Sequence, residues 1–185
     1  MTRATRTAVL IATLALASCN GGGDDSDGAP LPDQSASFVG RWEGTFSMTL
    51  EGETSSAPVY VPITRNGTNS INVGGFCLDG SGVDAQVTSS SAFLVDGLTC
   101  PPQAIGTCPA VTFTFLRGGT GNLASGQLTM NVAGSMSGCN LTFPFTTTFA
   151  GARTSTDPQA ITIAQDDRVE NDTVAAAIAA QLELF

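Results

Sequence analysis

Strict alternation of apolar and polar residues, which begins near residue 40, is the feature that most constrains the fold of this chain. In the segment 41–51, RWEGTFSMTLE, Trp42 and Leu50 fall on one side and Arg41 on the other. Successive side chains of a β-strand point to opposite faces, so a period of two predicts a half-buried strand. Arg41 is therefore expected on a polar outer face, where replacement by alanine should be nearly silent.

The same alternation recurs along the chain and is interrupted by turn-forming sequences such as RNGTN and RGGTGN. It predicts eight strands, at about 41–50, 57–65, 69–78, 82–88, 92–99, 110–117, 123–134 and 139–151. Short connections favour an antiparallel meander. We therefore expect an all-β domain over residues 38–153, whose eight strands close into a small barrel or fold into a two-sheet sandwich.

The stretch FVGRWEG, residues 38–44, resembles the opening Gly-x-Trp of the calycin barrels, the lipocalins and their relatives, through Gly40 and Trp42. In that family the tryptophan closes the barrel floor, and an arginine from the last strand stacks on it. The resemblance implies a calycin-like barrel, with Arg153 as the partner of Trp42 in a structural pair. It also implies an interior that can hold a small apolar ligand.

The first 18 residues have the organisation of an export signal. Arg3 and Arg6 supply the positive start, and the apolar run 8–17, AVLIATLALA, is too short to span a bilayer. The run ends in Leu16-Ala17-Ser18-Cys19, which resembles the lipobox of bacterial lipoproteins.

That resemblance implies cleavage before Cys19, a diacylglycerol on its thiol and a fatty acid such as palmitate on its amine. Several acyl chains, at about 0.8 kcal/mol per buried CH₂, give lasting membrane attachment. An ordinary signal peptide with a chance cysteine is the alternative. Asn20, where some lineages use Asp for inner-membrane retention, favours the outer membrane, on its periplasmic or surface face.

The segments that flank the predicted barrel differ from it in composition. Residues 19–37 are rich in Gly, Asp, Ser and Pro and predict a flexible tether. Residues 154–185 form a C-terminal extension with an amphipathic helix at about 172–184. Its apolar face is expected to pack on the barrel flank or to bind a partner.

Four further cysteines lie in the predicted barrel, and an even number in an exported chain indicates two disulfides. The meander brings all four to one pole and favours Cys77–Cys100 with Cys108–Cys139. The pairing Cys100–Cys108 with Cys77–Cys139 stays open. A Cys₄ zinc site would need short Cys-x₂₋₄-Cys spacings, which the sequence lacks, so no metal or cofactor is expected.

The chain contains no His and no Lys, and its formal net charge is −9. These facts exclude a His-based catalytic triad and disfavour nucleic acid as a partner. Connections at the cysteine pole carry Glu51, Glu53 and Asp79, a candidate binding rim. No catalytic residue is assigned, although a carboxylate- or Ser-based hydrolase remains a third possibility.

A membrane-spanning barrel is disfavoured, because one Trp and one Tyr cannot supply two aromatic girdles. The sequence therefore predicts a lipid-anchored envelope protein that acts as a non-enzymatic structural or protein-interaction module. The alternative is lipocalin-like binding of a small apolar ligand.

Overall fold

The computed structural model describes residues 32–159, which form a short 3₁₀ turn and eleven strands. The turn is Ser35–Ser37, and the strands are β1 Gly40–Leu50, β2 Glu53–Gly67, β3 Ser70–Val73, β4 Val83–Ser89, β5 Ala92–Val95, β6 Leu98–Thr99, β7 Gln103–Ile105, β8 Cys108–Phe115, β9 Gly119–Ala124, β10 Gln127–Gly138 and β11 Leu141–Ser155. The predicted leader, Cys19, most of the tether and the predicted helix at 172–184 lie outside the described residues.

Eight strands close into an antiparallel barrel. Their order is β11-β1-β2-β3-β4-β5-β9-β10, and pairing between β10 and β11 completes the circle. The predicted all-β closed barrel is thus confirmed, and the two-sheet sandwich is wrong. Each strand satisfies the backbone groups of its neighbours, so closure removes most free sheet edges.

The strand boundaries differ from the prediction at three places. The predicted strand 123–134 is in fact two strands, β9 and β10, which turn at Ser125 and Gly126 with φ of 51° and 76°. The predicted strand 92–99 is divided into β5 and β6, and the predicted strand 69–78 ends at Val73.

An insertion also interrupts the meander. β9, not β8, pairs with β5, and β8 pairs with the second half of β10, from Gly134 to Gly138. β6 and β7 both pair with β8. The three inserted strands therefore extend the barrel wall beyond the end of β5 and β9.

The barrel interior is filled by its own side chains. Phenyl rings pack edge to face, including Phe38 on Phe93 at 5.1 Å between centroids and Phe115 on Phe145 at 5.4 Å. A Cβ at Gly121 would overlap the Phe93 ring, and one at Gly134 would overlap Phe145. These glycines therefore make room for aromatic rings rather than for an empty lumen.

One end of the barrel is closed around Trp42, which is 1% exposed. The indole Nε1 donates a hydrogen bond to the carbonyl oxygen of Phe38, at 2.7 Å. Arg153 of β11 lies over the indole ring, with its guanidinium carbon 5.6 Å from the ring centroid. We call this the Trp42 end. β1 begins and β11 ends here, so the described chain both enters, from Pro32, and leaves, towards Gln159, at the Trp42 end.

The opposite, or disulfide, end carries the bridges Cys77–Cys100 and Cys108–Cys139. The favoured pairing is therefore confirmed, and the alternative pairing is wrong. The bridges close segments of 23 and 31 residues, for which the chain-entropy model gives about 3–4 kcal/mol each.

Arg41 is buried, contrary to the expectation of an exposed position. Its guanidinium lies 4.1 Å from the centroid of the Tyr60 ring, and its Nε is 3.0 Å from Glu43 Oε1. The residue does point to the outer face of β1, as predicted, but only 4% of it is exposed. We therefore expect replacement of Arg41 by alanine to destabilise the protein rather than to be nearly silent.

Candidate binding cleft at the disulfide end

An apolar cleft opens at the disulfide end of the barrel, with a volume of about 370 Å³. The β1–β2 turn, the β7–β8 hairpin and the β10–β11 turn surround it. We define this distal cleft by its lining residues, which are Leu50, Glu51, Ile105, Cys108, Val111, Met136, Gly138, Cys139, Leu141 and Phe143. Its volume lies within the range of small-molecule sites, about 300–1,000 Å³.

The floor of the distal cleft is part of the protein core, whereas its wall is accessible. Leu50 and Val111 are buried, and Met136 and Phe143 are partly buried against the same cluster. Leu141 is 57% exposed and lies beside the other apolar side chains of the cleft. An occupant of the cleft would therefore gain apolar contacts on several sides.

A chain of aromatic contacts lies in the core at this level. Phe76 packs on Phe115 at 5.0 Å between centroids, Phe115 on Phe145, and Phe145 on Phe113 at 6.1 Å. Phe76 comes from the loop after β3, which the Cys77–Cys100 bridge fastens to the end of β6. Because these rings are buried, the distal cleft is a feature of the barrel end, not the mouth of a deep internal cavity.

The three predicted rim carboxylates do not form one site. Glu51 lines the distal cleft, in the β1–β2 turn, where its φ is 52°. Glu53 begins β2 directly opposite Leu50. Asp79 instead accepts a hydrogen bond from the Ser81 backbone at 2.9 Å, and hydrogen bonds from the Ser81 side chain and backbone lower the pKa of its carboxyl.

Metal and nucleophile chemistry find no support at this cleft. Within residues 32–159, no group of three Cys, Asp or Glu side chains is arranged to hold a metal ion. All four cysteines of this region are in disulfides. The remaining chemistry of the cleft is apolar contact and the negative charge of Glu51.

Sequence reasoning did not foresee Ile105, Met136 and Phe143 as site residues. Phe143 falls in the alternating pattern of the predicted strand 139–151. Ile105 falls in the connection between Cys100 and Cys108, which the disulfides were expected to hold. The useful signal was the length of the β10–β11 hairpin, since inward residues near its tip extend beyond the rest of the barrel.

Other depressions on the surface of the described residues are lined in part by arginine and threonine side chains. One, of about 530 Å³, lies on the outer wall where β8 passes to β9 and is lined by Arg117, Asn131 and several threonines. Another, of about 320 Å³, lies at the Trp42 end beside Arg65 and Arg153. The distal cleft differs from them in its larger set of buried and half-buried apolar lining residues.

Among residues 32–159, the fold and the cleft together define a filled eight-stranded barrel with an apolar cleft at its disulfide end. Comparison of the chain with protein-family models, with curated proteins and with solved structures gave no match. No helix among residues 32–159 has the length and apolar character to span a membrane.

Proposed function

We propose that this protein is a lipid-anchored component of the bacterial cell envelope and works as a non-enzymatic protein-interaction module. The observation that carries the proposal is the contrast between a filled interior and an open apolar cleft at the disulfide end. A filled barrel is a rigid support, and binding residues commonly lie on loops at the end of such a support.

The position of the distal cleft fits a membrane-anchored module. The described chain starts at Pro32, at the Trp42 end, and β1 runs from there to the disulfide end. A tether from a lipidated Cys19 would enter at the Trp42 end. The distal cleft would then face away from the membrane, towards a partner in the envelope.

The calycin-like character of the barrel is part of this proposal. Trp42 and Arg153 meet as the resemblance implies, and Gly40 has a φ of 140°, which disfavours other residues there. These features support a floor built as in calycins. They are structural and give no information on the ligand.

The anchor is tested by exporting the full chain in a bacterium that processes lipoproteins, in the presence of labelled palmitate. We expect the wild-type chain to take up label and to partition into detergent, and the Cys19→Ser variant to do neither. An unlabelled wild-type chain that is cleaved at another position would contradict the anchor.

The interaction site is tested with a photo-cross-linking amino acid in intact cells. Leu141, in the distal cleft, and Leu94, on the wall of β5, are both exposed leucines, at 57% and 47%, and form a matched pair of positions. We expect a discrete protein adduct from position 141 and none from position 94. Equal adducts from both positions would contradict a specific site at the cleft.

Binding of a small apolar ligand is the second candidate function, and the volume of the distal cleft supports it. Native mass spectrometry of the purified chain, with an organic extract of the same sample, separates the two candidates. A bound mass that extracts as a small apolar molecule would favour the ligand, and a bare mass would favour the protein partner.

A further inference from the structure

The strand β2 has one edge that no described strand covers along its first half. β2 pairs with β1 from Glu53 onward, but with β3 only from Ile63 onward. Residues 54–60 of β2 are therefore paired with β1 on one side, and no strand within residues 32–159 pairs with their other side. We call this other side of residues 54–60 the free edge. Unpaired backbone groups in such a row are a template for an added strand.

The free edge has a defined set of donors and acceptors. The backbone N–H and C=O groups of alternate residues in a strand point to the same edge. The Pro62 carbonyl accepts a hydrogen bond from Gly74 at 2.8 Å, on the side of β3. The backbone groups of Thr54, Ser56 and Tyr60 therefore point to the free edge, as does the Pro58 carbonyl.

The proline positions agree with this assignment. Pro58 and Pro62 have no backbone N–H, and both are at even-numbered positions of β2, whose backbone groups point away from β1. The ladder with β1 therefore loses no donor, as expected for prolines confined to an edge. Ser56, two residues from Pro58, retains its N–H on the same edge.

The free edge belongs to the strand that pairs with β1, and β1 lines the distal cleft at Leu50. Glu53 lies opposite Leu50, and Ala57 lies opposite Phe46 and packs against the core. The odd-numbered residues of β2 thus share the inner face with the floor of the cleft. A strand added at the free edge would place alternate side chains on that face, which gives side-chain selection as well as backbone pairing.

Charge distinguishes the possible occupants. Glu51 and Glu53 lie where the cleft meets β2, and the lining residues include no cation. The chain's own segment 160–185 carries five Asp and Glu residues against Arg168 alone. A second copy of the chain has a net charge of −9 and the same two glutamates. Like charges disfavour both, whereas a basic segment is attracted.

We propose that the free edge of β2 and the distal cleft together bind an extended, basic peptide segment of a partner protein by β-strand addition. Its alternate apolar side chains enter the distal cleft, and its basic residues lie beside Glu51 and Glu53. This inference rests on the proposed interaction function and specifies the chemistry of the partner.

The test uses two labelled peptides, acetyl-RVTVTVR-amide and acetyl-EVTVTVE-amide, with the exported chain that carries Cys19→Ser. Fluorescence anisotropy measures their affinities, and hydrogen exchange locates the backbone contacts. We expect the affinity for the Arg peptide to be at least about tenfold higher than the affinity for the Glu peptide. It should also slow exchange at the amides of Thr54, Ser56 and Tyr60.

The decisive variant is Ser56→Pro, which removes one donor from the free edge and leaves the backbone ladder with β1 intact. It also removes the exposed hydrogen bond between the Ser56 and Ser47 hydroxyls, at 2.7 Å. We expect its unfolding midpoint to stay near that of the wild type, while affinity for the Arg peptide falls about tenfold or more. Thr54→Pro has the same parity and replaces it if Ser56→Pro fails to fold. Glu51→Gln with Glu53→Gln should reduce the preference for the Arg peptide.

Several results would overturn the inference. Equal binding of the Arg peptide to wild type and Ser56→Pro would do so, as would equal affinity for both peptides or no binding of either. A dimer in sedimentation equilibrium that Ser56→Pro abolishes would assign the edge to a second copy. If the adduct at position 141 persists in cells that carry Ser56→Pro, strand addition at the free edge is contradicted, but the proposed interaction function stands. Absence of that adduct in wild-type cells would contradict the proposed function itself.

Discussion

Arg153 lies over the ring of Trp42 and also donates from Nη1 to the carbonyl oxygens of Ser37 and Val39, each at 3.3 Å. One side chain of the last strand thus contacts the first strand and the turn that precedes it. The pair therefore fastens the two ends of the barrel chain to each other at the Trp42 end.

Trp42→Ala should lower the free energy of unfolding by about 3–5 kcal/mol, because it removes the largest fully buried side chain. Arg153→Ala should cost less, about 0.5–1 kcal/mol, because Arg153 is exposed and water screens its contact with the ring. Urea unfolding of both variants measures the difference. A smaller loss for Trp42→Ala than for Arg153→Ala would show that the indole does not close the core.

Gly121→Ala should destabilise the barrel by about 1–3 kcal/mol, because the added methyl group would overlap the Phe93 ring. That ring is held against Phe38 and cannot move freely. Gly97→Ala is the matched control, since its nearest neighbours are 3.5 Å away, and it should change stability by less than about 0.5 kcal/mol. Equal thermal shifts in the two variants would mean that the interior has spare room.

Arg41→Ala should cost about 1–3 kcal/mol, because it removes a buried contact with Tyr60 and the charge beside Glu43. Arg117→Ala is the control. Its side chain is 81% exposed and pairs with Asp96 at 3.1 Å, so its loss should change stability by about 0.5 kcal/mol or less. Chemical denaturation compares them, and two equally silent variants would contradict the buried role of Arg41.

Asp33 should make stability depend on acid pH. A hydrogen bond from the Ser35 backbone N–H, at 2.9 Å, lowers the pKa of its carboxyl below 3.8, aided by the Asn69 backbone and the Arg65 charge. A depressed folded-state pKa stabilises the protein above the unfolded value, and this contribution is lost as pH falls through the folded value. The melting temperature of wild type should therefore fall more steeply below pH 3.8 than that of Asp33→Asn. Parallel melting curves would contradict this role.

The alternation in the sequence predicted the all-β class and favoured the observed disulfide pairing, because both depend on a pattern within single strands. It left the choice between a closed barrel and a two-sheet sandwich open. Inward residues recur every second position, and strand direction brings Cys77 to Cys100 and Cys108 to Cys139. Both inferences follow from alternation and strand direction, without knowledge of the side-chain contacts between distant strands.

The strand β9 could not be recognised in the same way. Its inward position is Gly121, and the space above that glycine is filled by Phe93 from the neighbouring strand. The apolar side chain at this inward position thus belongs to Phe93, in β5, and not to a residue of β9 itself. Arg41 was misjudged for a related reason, since Tyr60 covers it from β2. The distal cleft depends on where neighbouring strands stop, which alternation does not encode.

The placement of Pro32 and Gln159 at the Trp42 end also has a mechanical consequence. A force applied between Pro32 and an object held in the distal cleft acts along the strands, since β1 runs from one site to the other. Hydrogen bonds between β1 and its neighbours β2 and β11 are perpendicular to the strands, so such a force loads the whole row at once. A pull between Pro32 and Gln159 would instead open the β1–β11 ladder one bond at a time. The barrel is thus strongest against tension along the axis from its point of entry to its cleft.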